Sequence, residues 1–315
     1  MFTKISPFYF TINSIWTKVL QATGNMKIPM IAQIVGAVVN IILDPILIFG
    51  YMGSPEMGLK GAAIATVIGQ IATAIIVGIY GYKKSPTLCK YRTYIKKIYY
   101  DGIPNIIMQS AYTLYILGLN LILAGFSDQA VTALGLYYKW QTFFFIPLGG
   151  LQTCIVPILS YNYAAYAIER CKKVLWTAIS FGLMFMMIGV ICFEGIPTQM
   201  LQVFSQDADV ISIGTGGFRF IGMSFLPMVT SLIFPVYFQA LGYGLKSIVL
   251  TIIRTVCLFV PVGYVLSLLG LEYFWMTFPI TEIVTSMVGF IFYRQFVKAH
   301  SSYYRAEEKN IVVGE

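Results

Sequence analysis

The sequence predicts an all-α polytopic membrane protein of about nine transmembrane helices, three in an N-terminal lobe and six in a C-terminal lobe. Three observations predict it. Of its 315 residues, 58% are hydrophobic and 11% are charged, whereas a soluble domain carries roughly a quarter charged residues. The mean hydropathy is +0.77. Apolar runs long enough to cross a bilayer, which takes about 20 residues, recur at short intervals along the whole chain. Together these exclude a soluble enzyme, a disordered tail and a disulfide-stapled secreted module.

The runs fall at about 5–22, 28–50, 59–82, 103–125, 131–160, 173–196, 211–238, 247–270 and 273–297. The first begins within MFTKISPFYFTINSIWTKVL, which has lysines at both ends and no small-residue cleavage site, so it reads as part of a span and not as a signal peptide. Between the runs stand turn formers: Gly24-Asn25, Gly53-Ser54-Pro55, Ser127-Asp128 and Gly242-Tyr243-Gly244. Prolines inside several runs are compatible with membrane helices whose neighbours satisfy the freed carbonyls.

Loop charges set the orientation. One side collects Lys27, then Lys83, Lys84, Lys90, Arg92, Lys96 and Lys97, then Arg170, Lys172 and Lys173, then Lys246, and finally Arg294, Lys298, Arg305 and Lys309. The other side has Lys60 and the acids Glu56, Asp128, Asp207, Asp209 and Glu272. The basic side is expected to be cytoplasmic, with the C-terminus on it. The net charge of +8 is therefore a topology signal, and no nucleic-acid partner is expected. The expected organisation is a partial N-terminal lobe (1–82), a basic cytoplasmic linker (83–102), a six-helix C-terminal lobe (103–297) and a cytoplasmic tail (298–315). The five cysteines show no close pairing, and the single histidine, His300, lies in the polar tail. Neither a disulfide framework nor a metal site is expected.

An internal repeat is visible. Gln21-Ala22-Thr23-Gly24 recurs as Gln239-Ala240-Leu241-Gly242, 218 residues later. Each copy follows a span that contains a proline (Pro7, Pro227) and leads into a span that contains another (Pro45, Pro261). Parallel repeats on this scale are typical of transporters. Three spans precede the second copy within its half and none precedes the first. A complete pair of repeats would be six spans plus six, so about three spans are expected upstream, in a longer protein or in a partner chain.

Several segments carry a family resemblance. QATGNMKIPMIAQIVGAVVNIILDPILIFG (21–50), MGLKGAAIATVIGQ (57–70), IPLGGLQTCIVPILSYNYAA (146–165) with Pro157 and Asn162, and FQALGYGLKS (238–247) followed by Arg254 and Pro261 stand in fixed order and spacing. In that order they resemble the MATE family of multidrug and toxic compound extrusion transporters, from its fourth helix to its twelfth. The departures are Ala164-Ala165, where members often have Gly-Ala, and the absence of the first three helices. The resemblance implies a two-lobed antiporter that exports small amphipathic, cationic molecules across the plasma membrane by alternating access. It also implies H⁺ or Na⁺ as the coupling ion and no organic cofactor. A flippase for lipid-linked oligosaccharides of the same superfamily is the alternative, kept open by Lys139, Arg219 and Arg254; a non-functional truncated remnant is another. A membrane-embedded enzyme would need a clustered acid, base or nucleophile set, and none is visible.

Individual residues refine this. Asp44 lies inside the apolar run VVNIILDPILIF, where a carboxylate costs about 2.5–3.5 kcal/mol and is usually functional. A carboxyl buried in apolar surroundings favours its neutral form, which suits it to hold and release a proton. Asn40 lies one turn earlier on the same face, and Thr66 of the next span is expected to face both. The resemblance implies that this Asn and Asp belong to a proton- or cation-binding site. The competing reading is a near-interface Asp that hydrates a helix end. In the second half, Gln109, Tyr112, Tyr138, Lys139, Gln141, Asn162, Arg254 and Glu282 are expected around a substrate cavity. Aromatic faces there would attract cations, and Arg254 and Lys139 would face the cavity or pair with an acid. Glu282, about ten residues into the last span, is expected to be buried or cavity-facing. Glu194 and Asp101, near helix ends, are read as solvated.

Overall fold

Helices account for every long apolar run. The computed structural model describes residues 2–53, 55–82 and 91–312, so Ser54 and the basic residues Lys83, Lys84 and Lys90 lie outside the described residues, as does Cys89. The side chains of Asp101, His300, Arg305 and Lys309 lie outside as well. The helices are α1 (Phe2–Ala22), α2 (Lys27–Phe49), α3 (Leu59–Gly81), α4 (Tyr91–Ala124), α5 (Asp128–Ala164), α6 (Ile168–Gly195) and the short α7 (Pro197–Gln202). Then come α8 (Ala208–Ala240), α9 (Gly244–Ile252), a π-helical stretch Ile253–Phe259, α10 (Val260–Ser267), α11 (Leu271–Phe274) and α12 (Thr277–Val312).

Eight segments among the described residues are long and apolar enough to cross a membrane. They match eight of the nine expected spans. The ninth, α1, is a helix of 21 residues that does not qualify, because Thr3, Lys4, Asn13, Thr17 and Lys18 dilute its apolar content. Two stretches outside the expected spans are helical. Residues 91–102 of the expected linker form the first turns of α4, and residues 298–312 of the expected tail continue α12. Neither stretch contains a proline, and charge alone does not end a helix.

The chain divides into two compact units, Met1–Tyr91 and Arg92–Glu315. In the first, α2 and α3 meet through small residues. A Cβ added at Gly36 would lie 2.0 Å from Thr73 Oγ1 and 2.8 Å from the Gly69 carbonyl oxygen, and one at Gly61 would lie 2.3 Å from the Leu47 carbonyl oxygen. The Thr73 hydroxyl donates across the helix pair to the Ala32 carbonyl at 3.2 Å. Such close backbone approach is how membrane helices associate when lipid is as apolar as the helix surface. The opposite rows, among them Ile34, Val38, Ile41 and Ile42, are exposed.

In the second unit α8 is the central helix, packed against α5, α6, α7, α9 and α12. Aromatic rings fill its surroundings: Phe193 stacks on Phe218 and touches Phe225, each at 4.7 Å between centroids. Its ends and middle are pinned by polar bonds. Asp207 Oδ1 caps the N-terminus, accepting from the Asp209 N–H at 2.9 Å. The Ser160 hydroxyl of α5 donates to the Ala240 carbonyl at 2.8 Å.

The two copies of the sequence repeat end their helices in the same way. At the end of α1, the Gly24 N–H donates to the Gln21 carbonyl at 3.0 Å and the Asn25 N–H to the Leu20 carbonyl at 3.0 Å. At the end of α8, the Gly242 N–H donates to Gln239 at 3.0 Å and the Tyr243 N–H to Phe238 at 2.8 Å. Both glycines are left-handed, with φ of 80° and 84°. This is one helix-ending motif at identical offsets. The following spans differ: α2 runs through Pro45 as α-helix, whereas the π-helical stretch stands immediately before α10 and Pro261.

Candidate functional site

In the first unit, Asn40 and Asp44 lie one turn apart on α2, both half-buried. The Asn40 amide donates to Asp44 Oδ1 at 3.4 Å. Asn40 stands at the α2–α3 contact, where its Cβ would be 3.3 Å from a Cβ added at Gly69. Thr66 does not complete this site. It is exposed, and its hydroxyl donates to the Ala62 carbonyl one turn back at 2.9 Å. Residue 69 of α3, not residue 66, reaches the Asn40 face, because the close Gly36–Gly69 approach fixes the register.

The second unit holds an acid–base pair that is buried throughout. Arg254 is 4% exposed and Glu282 0%. The Arg254 Nε–H points between the carboxylate oxygens, 3.1 Å from each, and an Nη donates to Oε1 at 2.5 Å. Ser231 of α8 donates its hydroxyl to Oε2. Three helical segments thus converge on one carboxylate: α8, the π-helical stretch and α12. The π-helical turn supplies the arginine, and such turns are rare and frequent at functional sites. Aromatic faces surround the guanidinium, whose centre lies 5.1 Å from the Phe259 ring and 5.9 Å from the Tyr115 ring. Tyr115 stacks on Phe259 at 4.9 Å and meets Tyr112 edge-on at 5.1 Å. Tyr137, on α5, packs on Phe278 at 5.3 Å and on Tyr138 at 5.2 Å.

The expected cavity residues are therefore only partly gathered. Tyr112, Tyr138, Arg254 and Glu282 share this cluster, and Gln141 is buried on α5 three residues beyond Tyr138. Lys139 is not in it: its ammonium sits 4.9 Å from the Phe204 ring centroid. Asn162 turns its amide back to the Ile158 carbonyl at 2.8 Å. Gln109 is exposed on α4, and Arg219 is exposed on α8. Glu194 corrects the expectation of a solvated acid, since its Oε1 is buried without a hydrogen-bond partner among the described residues. A Cβ added at Gly222 would lie 3.4 Å from that atom; α8 closes over it.

Sequence reasoning missed Ser231, because serine is ordinary in membrane helices and gives no signal there. It also missed Thr277, Thr281 and Thr285, whose hydroxyl oxygens are buried without a hydrogen-bond partner among the described residues. Their spacing of four, in TFPITEIVT, was readable. Among the described residues no group of three or more His, Cys, Asp or Glu is placed to hold a metal ion.

Eight long apolar helical segments among the described residues define a polytopic helical membrane protein, and comparison with solved structures gives its type. The outward-facing conformation of a multidrug resistance MATE family transporter of the MOP superfamily matches with a TM-score of 0.84 at 22% identity, over 95% of this chain and 69% of that one. A MOP superfamily transporter from Pyrococcus furiosus matches with a TM-score of 0.82 at 23% identity, over 93% and 68%. The fold is that of a MATE transporter. The MatE family model matches residues 104–265, just over half of the chain, and the chain belongs to that family. It is similar to the multidrug export protein MepA of Staphylococcus saprophyticus, at 27% identity over 278 residues, and to that of Staphylococcus aureus, at 27% over 276. Each alignment covers 85% of this chain and 58% of the relative's length. The family is one of transporters and not of enzymes.

Proposed function

We propose that the chain serves in secondary active efflux of multiple drugs and other xenobiotics, by antiport against H⁺ or Na⁺ with alternating access. The observation that carries this reading is the 27% identity over 278 residues to a multidrug export protein. The polar and aromatic cluster of Tyr112, Tyr115, Tyr137 and Tyr138 supports it, because π faces attract organic cations. In this reading Asp44 and Asn40 bind the coupling ion in the first unit. The ion couples to the substrate because it changes the relative stability of two conformations. The protein sits in the plasma membrane with its C-terminus in the cytoplasm, and small amphipathic cations are its substrates. The oligosaccharide-flippase alternative draws no support from Arg254, whose charge Glu282 neutralises.

The test is accumulation of a fluorescent lipophilic cation in bacteria lacking their own exporters. Cells carrying the full chain should accumulate less dye, a protonophore or removal of Na⁺ should abolish the difference, and Asp44→Asn should do the same. Unchanged accumulation, with the protein verified in the membrane, overturns the reading.

A further inference from the structure

Helices α6 and α12 both pack on α8, and one side-chain bridge joins them on the outer side of the second unit. The Trp176 indole N–H donates to the Tyr293 hydroxyl at 3.2 Å, and the two rings meet edge-on at 6.0 Å. Tyr293 is buried and held from behind by Phe234 and Tyr237 of α8, at 6.1 and 6.0 Å between centroids. The indole is therefore fixed across the seam between α6 and α12, yet it is 45% exposed. A tryptophan that spends its N–H inside the bundle and leaves its ring outside behaves as such rings do where a membrane meets water. Trp176 stands near the start of its apolar run and Tyr293 near the end of its own. Both runs cross the same bilayer, so the two helices run in opposite directions along the seam.

Cations gather at this bridge from both helices. On α6, Lys172 and Lys173 precede Trp176 by one turn and share its side of the helix. Lys172 is neutralised by Glu169 at 2.6 Å, whereas Lys173 is exposed. On α12, Arg294 follows Tyr293 directly and is exposed, its guanidinium centre 4.6 Å from the Phe290 ring one turn back. Among the described residues neither Lys173 nor Arg294 has an acidic partner. Away from the charges the seam turns apolar. Met187 lies three turns after Trp176 on the same side of α6, and Ile283 lies three turns before Arg294 on the same side of α12. Both are exposed. Three turns are about 16 Å, the depth of one leaflet of a hydrocarbon core roughly 30 Å thick.

The geometry points to a binding site for one anionic phospholipid in the seam between α6 and α12. The headgroup phosphate sits between Lys173 and Arg294, the glycerol lies beside the exposed indole of Trp176, and an acyl chain runs along Met187 and Ile283. Cations, interfacial ring and apolar strip follow the order of headgroup, glycerol and chain in such a lipid, and basic groups between spans are where anionic headgroups bind. A zwitterionic lipid brings an ammonium of its own, which Lys173 and Arg294 repel. A soluble anion would satisfy the charges and leave the apolar strip bare. A second copy of this chain, packed two-fold through the same face, would set these cations against their own kind. The site goes beyond the efflux reading and holds whatever the cargo is.

The test is quenching of Trp176 fluorescence by brominated lipids, with the full chain in vesicles. The vesicles hold equal amounts of phosphatidylglycerol and phosphatidylcholine, with bromine on the chains of one or of the other. Trp176→Phe gives the background of the remaining tryptophans. The Trp176 signal should report phosphatidylglycerol bound about 25-fold in preference to phosphatidylcholine, from two basic residues worth about fivefold each near a membrane surface. The preference should fall about fivefold in Lys173→Gln and in Arg294→Gln, vanish in the double variant and survive in Arg294→Lys. Both side chains are exposed, so these variants keep the fold. Lys139→Gln, a charge change away from the seam, should leave it unmoved. Equal quenching by the two brominated lipids overturns the proposal and marks ordinary bilayer contact. Protection from both overturns it and marks a face covered by protein. A preference unmoved in the double variant, or one abolished by inorganic phosphate, overturns it as well.

Discussion

Glu282 and Arg254 show what a single charged residue in an apolar run discloses and what it conceals. Each stood out in the sequence because an ionisable group within a span is rare and expensive. Their partnership was not legible, since 28 residues and a change of helix separate them and the π-helical turn that aims Arg254 leaves no mark in composition. Ser231, which completes the carboxylate's bonds, was indistinguishable from any helical serine. Thr66 failed for a related reason: its register against Asn40 depends on the glycine contact between α2 and α3. The pair itself makes a prediction. Arg254→Met alone strands a buried carboxylate and should cost about 3–5 kcal/mol, whereas Arg254→Met with Glu282→Met should recover most of that loss. Thermal unfolding in detergent of both single variants and the double variant measures it, and a double variant as unstable as the sum of the singles would refute it.

At the scale of elements, the apolar runs located nearly every helix, and only their ends moved. The run expected over 131–160 is α5, Asp128–Ala164, because Ser127 caps it by accepting from the Ala130 N–H at 3.1 Å. Residues 91–102 and 298–312 are helical beyond the apolar runs, since the end of an apolar run does not by itself end a helix. The turns give a paired prediction of opposite sign. Gly242 takes its left-handed φ of 84° without strain, and Gly242→Ala should destabilise the protein by roughly 1 kcal/mol. Tyr166, after α5, adopts a φ of 57°, a conformation that costs a non-glycine residue roughly 1–2 kcal/mol. Glycine removes that backbone cost, so Tyr166→Gly should raise stability. Melting temperatures of the two variants decide; shifts of the same sign would contradict the argument.

For the molecule as a whole, composition alone predicted a membrane protein, and the loop glycines marked several of the turns between its spans. The repeat was visible as four residues and proved to be a shared hydrogen-bond pattern, yet the spans after it diverged. That divergence has a consequence for chain length. A π-helical turn closes its hydrogen bonds one residue further on than an α-helical turn, so Ile253–Phe259 spends about one residue more than an α-helix needs for the same rotation. The surplus decouples residue number from helical phase. Deleting Val256, which is exposed, should let the stretch rewind as α-helix and leave Gly263 and Thr277 facing as before. The same deletion inside α8 would rotate every later side chain by about 100° and misplace them all. A protein with Val256 removed should therefore still reach the membrane folded, as judged by its melting curve. The segment holding the buried arginine would then tolerate losing a residue where a regular helix such as α8 does not.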